Sequence, residues 1–109
     1  MAGVIKEEKV ELNLKNITRR EVAMYAGFSP LARLYPVLDD DNQAYAVVII
    51  ENQPAERSAD VMVMARVVGD KIVIEEDTTD KPLVDALMVN AGIPREQIVL
   101  AYRGETLPD

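Results

Sequence analysis

The sequence predicts an α+β domain, an antiparallel-dominated sheet of about four to six strands with two main helices packed on one face. Three observations lead there. Ala59–Val67 alternates apolar and polar residues, Gly69-Asp70 supplies a tight turn, and Lys71–Glu75 returns as a hairpin partner. Helix start and stop signals bracket two other segments, at Thr18–Gly27 and Asp80–Gly92. At 109 residues the chain has length for one core and no second one.

Taken in order, Val10, Leu12 and Leu14 alternate with Lys9, Glu11 and Asn13, which predicts a strand over 9–14. Thr18 followed by Glu21 forms a capping box, with Ile17 and Val22 at staple positions. A helix is therefore expected from Thr18 to Gly27, a residue suited to a left-handed cap. Ser29-Pro30 opens a further helical turn that Pro36 ends. Asp39-Asp40-Asp41-Asn42 is turn chemistry, and the β-branched run to Ile50 is a strand. Asn52–Ser58, with Pro54 inside, reads as a loop before the hairpin. Asp80 is placed to cap a helix with Lys81 and Pro82 in its first turn and Leu83, Val84, Leu87 and Met88 on its buried face. Gly92 ends that helix, Ile93-Pro94 links, and Gln97–Tyr102 is the last strand.

Composition removes much chemistry. The chain has no cysteine and no histidine, so disulfides, thiolate sites and the commonest general base are excluded. Its net charge is −7, and the charge is uneven. Residues 1–36 hold six basic and four acidic side chains, net +2, while residues 37–109 hold six and fifteen, net −9. That balance opposes attraction to phosphate backbones and anionic lipids, so neither tight nucleic-acid binding nor membrane association is expected. The start of the chain shows no apolar core of a secretory signal, and the cytoplasm is the expected location.

The acidic clusters Asp39-Asp40-Asp41 and Glu75-Glu76-Asp77 with Asp80 are the candidate functional residues. Carboxylates supply oxygens to magnesium or calcium, which leaves open a metal-dependent enzyme using the acidic loops. Neighbours on an extended strand face opposite ways, however, and the spacing lacks the alternate ligands and central glycine of a calcium loop. Solvated turns and a helix cap explain the same residues. No catalytic residue, metal ligand or cofactor is assigned. A second open reading comes from Thr18, Val22, Ala23, Tyr25, Ala26, Gly27 and Ser29, which resemble the first helix and turn of a helix-turn-helix DNA-binding regulator of the Lac repressor type.

The C-terminal half carries the more specific resemblance. Gly69-Asp-Lys-Ile-Val-Ile-Glu-Glu-Asp-Thr-Thr79, Leu83–Leu87, and then Ala91-Gly-Ile-Pro-Arg-Glu-Gln-Ile-Val-Leu-Ala-Tyr102 resemble the XisI family, the element excision controlling factors of cyanobacteria. Upstream, Tyr25-Ala26, Leu38-Asp39 and Tyr45 are similar to further family positions, whereas the N-terminal segment departs from the family's longer amphipathic helix. The resemblance implies a single XisI-like domain over residues 1–109. It further implies a non-catalytic regulatory protein that contacts an XisH-like partner during programmed excision of DNA elements, with self-association left open. On that reading Asp39, Asp40, Asp41, Glu75, Glu76, Asp77 and Asp80 form the surface that docks a basic partner, since charge of one sign steers association.

Overall fold

A computed structural model describes residues 2–51 and 58–108; over residues 2–12 only the backbone is described. Helix α1 spans Ala2–Ala23, followed by strands β1 (Gly27–Phe28), β2 (Ala32–Asp39), β3 (Ala44–Glu51), β4 (Ala59–Val68) and β5 (Lys71–Asp77). Helix α2 (Leu83–Val89) then crosses to β6 (Ile98–Leu100), with one-turn 3-10 helices at Arg95–Gln97 and Ala101–Arg103. The six strands form one sheet in chain order. Each neighbouring pair from β1 to β5 is antiparallel, and β6 runs parallel to β5 because α2 carries the chain back along the sheet. The architecture is the expected α+β fold.

The core lies between the helices and one face of the sheet. Tyr45, Ala65, Ile74 and Leu100 stand in register across β3, β4, β5 and β6, and Val67, Ile72 and Ile98 make the next row. All seven are buried, with Leu14 and Val22 of α1 and Leu83 and Leu87 of α2 against them. Period-two alternation on the strands and three-to-four spacing on the helices therefore converge on one apolar layer. The opposite face has Val37, Ala46 and Met64 in one register row and Tyr35, Val48 and Val61 in another; Tyr35, Val37 and Val61 are exposed.

Four local expectations are corrected. Residues 9–14 are helical, not a strand. Lys, Glu and Leu are strong helix formers, and the apolar stripe continues from Leu14 through Ile17 and Val22 to Tyr25 at helical spacing. Thr18 accordingly sits inside α1 and caps nothing. Ser29–Pro36 is not a helical turn. The Ser29 hydroxyl accepts from the backbone N–H of Ala32 at 3.2 Å, which builds the β1–β2 hairpin instead. Pro36 lies within β2, where beyond Leu34 the strand is flanked only by β3, so its missing N–H is tolerated. The last strand is shortened to Ile98–Leu100, and Ala101–Arg103 turns away. The loop expected over Asn52–Ser58 falls on residues 52–57, outside the described residues.

The hairpin and α2 follow the sequence closely. Gly69 occupies the left-handed region at φ 60° in the β4–β5 turn. Gly92 does so at φ 69°, while its N–H donates to Met88 O and that of Ile93 to Leu87 O, closing α2. Leu83 and Leu87 are fully buried, but Met88 is exposed and turns from the core.

Thr18 yields a first prediction. Its side chain is fully buried and, among the described residues, its Oγ1 has no hydrogen-bond partner. Thr18→Val keeps the shape and removes the stranded hydroxyl, so it should stabilise the fold by about 1 kcal/mol in a urea titration. Destabilisation of that size would show that the hydroxyl does make a bond.

Candidate functional site

The acidic residues fall into two groups, one on the β2–β3 turn and one on β5 and the segment that follows it. Asp39, Asp40 and Asp41 lie at the β2–β3 turn, at the end where β4 also turns into β5. Glu75, Glu76, Asp77 and Asp80 lie where β5 leaves the sheet for α2, β5 being separated from β2 by β3 and β4. The register sets Asp39 level with Ala44, Arg66 and Val73, and Asp77 level with Pro36, Val47 and Val63, so about three residues, roughly 10 Å of strand, separate the two rows along the sheet.

Most of these carboxylates are engaged within the fold. Asp39 accepts from the backbone N–H and side-chain amide of Asn42 at 3.1 and 2.7 Å. Those bonds hold its carboxyl below the ordinary Asp value, the side-chain amide contributing most. Asp40 bridges Arg19 at 2.9 Å and accepts from the Tyr45 hydroxyl, also at 2.9 Å. Glu75 pairs with Arg66 at 2.5 Å across β4 and β5. Glu76 accepts from the N–H of Asp77 at 3.0 Å. Asp77 accepts from the N–H and hydroxyl of Thr79 at 2.9 and 2.6 Å and from Leu83 N–H at 2.6 Å. Asp77, not Asp80, therefore caps α2; the position before the helix is Pro82, which has no capping side chain. Asp41 and Asp80 are exposed. Among the described residues, no three carboxylates gather into a metal-ligand set.

The Tyr45 phenol carries a pH prediction. Burial, then its bond to Asp40 and that carboxylate's charge, push its pKa up to about 12, with Arg19 opposing. A group raised on folding contributes stability that is complete below its unfolded value near 10 and lost as pH climbs to the folded value. Tyr45→Phe should therefore lose less stability than the parent between about pH 10 and 12 in denaturant titrations. Equal losses would show that Tyr45 does not titrate with unfolding.

A cleft of about 670 Å³ opens where α1 ends beside α2. Met24 and Tyr25 line one side, Asp85, Ala86, Val89 and Asn90 the other, with Asp80, Lys81 and Pro82 at the connection and Glu21 within. Glu21 stands on the buried stripe of α1 and is 3% exposed. Its oxygens accept from Arg20 Nε at 3.1 Å and from Asn90 Nδ2 at 3.2 Å, tying α1 to α2. The Tyr25 hydroxyl donates to Lys81 O. Burial raises the Tyr25 phenol above its ordinary pKa, and the charges of Asp77, Glu21 and Asp85 add to that rise, with a hydrogen bond to Thr79 opposing.

The sequence pattern places Glu21 in a capping box and gives no role to Asp85 or Asn90, while Tyr25 enters only through the two resemblances. The available signal was helical: Glu21 falls one turn after Thr18 and one before Tyr25, a charged residue on an otherwise buried stripe. The helix-turn-helix reading is corrected here. Thr18–Ala23 ends a long helix, and the segment that should form the recognition helix is β2. Among the described residues no helix is long and apolar enough to cross a membrane.

A family profile described as XisI protein matches residues 9–107. Among solved structures, an XisI-like protein from Anabaena variabilis superposes with a TM-score of 0.63 at 24% identity, covering 85% of this chain and 83% of that one. The fdxN element excision controlling factor XisI from Anabaena variabilis superposes with a TM-score of 0.68 at 20% identity, covering 85% and 86%. Comparison with curated proteins gives no match.

Proposed function

The chain belongs to the XisI family, and from that premise we propose that it is a non-catalytic accessory protein which docks on an XisH-like partner in the programmed excision of a DNA element. The cytoplasm of a cyanobacterium is the proposed setting. One of its structural matches is described as an excision controlling factor; carried to this chain, that description means control of a reaction which another protein performs. The observation that carries the docking role is the cleft, where apolar side chains stand exposed beside carboxylates on a chain of net charge −7. Exposed apolar groups rimmed by charge are the mark of a protein interface. Acidic charge also disfavours the DNA backbone and favours a basic partner.

Co-expression tests the proposal. A tagged chain should carry the XisH-like protein through size exclusion in a single complex. Untagged partner that elutes alone, with both proteins folded, would contradict it.

A further inference from the structure

The cleft between α1 and α2 assembles apolar and anionic groups in one place. Met24 and Val89 are 72% and 81% exposed on its two sides, although both are large enough to be buried. The carboxylates of Glu21, Asp80 and Asp85 face it against the one ammonium of Lys81 among the lining residues. Glu21 is withdrawn from water there. Asn90, at the end of α2, holds the cleft together through its bond to Glu21.

We propose that this cleft receives a basic amphipathic segment of a protein partner. An apolar side chain of that segment seats between Met24 and Val89, and an arginine or lysine beside it meets Asp80 and Asp85. The inference rests on the docking role proposed above and gives it a location and a chemistry. Charge complementarity selects the occupant. A second copy of this chain brings net −7, and a phosphate backbone is more anionic still, so both are repelled where a cationic segment is drawn in. Methionine suits such a contact because its unbranched side chain adapts to the surface presented to it.

The division of labour is testable, since exposed charges govern encounter and buried apolar anchors govern residence. Surface-binding kinetics against the XisH-like protein should show Val89→Asp raising the dissociation constant by about tenfold or more, chiefly through faster dissociation. The double variant Asp80→Asn with Asp85→Asn should slow association several-fold and flatten its salt dependence. Both sites are exposed, and an unchanged thermal midpoint confirms that the variants fold. Val37→Asp, on the helix-free face of the sheet, should bind as the parent does. Cleft variants within twofold of the parent, with Val37→Asp impaired, would overturn the cleft and leave the partner role standing. A parent chain that does not bind would overturn both. A chain that self-associates in sedimentation and loses this with Val89→Asp would assign the cleft to a second copy, and likewise overturn the proposal.

Discussion

Leu87→Ala should lower stability by about 2–5 kcal/mol, the largest effect expected of any substitution considered. Leu87 is fully buried, and with Leu83 it supplies the two buried side chains of a seven-residue helix. So short a helix has little stability of its own and is held by what it buries. Truncation removes three carbons from water-free packing and leaves a cavity in the apolar cluster that also holds Ile74 and Leu100. Against a total of roughly 5–15 kcal/mol for a domain of this size, the thermal midpoint should fall by about 10–20 °C. Val89→Ala, two residues along the same helix but 81% exposed, should stay within about 0.5 kcal/mol of the parent. Equal midpoints for Leu87→Ala and the parent would mean that α2 does not pack on the sheet.

The second large effect is expected at Asp77. One carboxylate accepts three hydrogen bonds, from Thr79 N–H, the Thr79 hydroxyl and the first N–H of α2. Asp77→Ala leaves two backbone donors without their partner and should cost roughly 1.5–3 kcal/mol, as for hydrogen bonds to a charged group. Asp77→Asn keeps one acceptor oxygen and should fall between. Asp80→Ala should change stability by less than about 0.5 kcal/mol, because Asp80 is exposed and does not cap the helix. Hydrogen exchange adds a local readout: Asp77→Ala should raise exchange at Leu83–Leu87 more than in β3 or β4. The reverse order of the two alanine variants in urea titration would restore Asp80 as the cap.

Those two residues also show what the sequence can and cannot carry. Leu83 and Leu87 were legible because helical spacing and burial are the same pattern seen twice. The Gly69 turn and the Gly92 stop were legible because a left-handed backbone favours glycine. The Asp77 cap was hidden because its carboxylate reaches the helix from six residues before Leu83, outside any capping motif. Residues 9–14 misled because alternation over six residues also fits a helix of strong helix formers. Pro36 misled for a different reason. Whether a proline stops a segment or rests in a strand depends on whether that strand has neighbours on both sides, which is topology rather than local sequence.

At the candidate site the signs of the charges were legible and their geometry was not. Asp39–Asp41 and Glu75–Asp80 read as one docking surface, but the hydrogen bonds that engage most of them inside the fold were not visible in the sequence. Only Asp80 of the seven lines the cleft. The residues that accompany it there, Glu21 and Asp85, come from two helices whose adjacency is set by packing on the sheet. Local patterns therefore gave the elements of the C-terminal half, while the cleft required tertiary structure.

The proposed role is that this domain acts by binding a protein and not by binding or cutting DNA. Titration calorimetry at physiological salt tests it most directly, with the chain injected in turn into the XisH-like protein and into duplex from the excised element's boundary. The account predicts a saturating heat with the protein at a fixed stoichiometry and none with the duplex. Submicromolar binding to the duplex by this chain alone, with no heat from the protein, would contradict it.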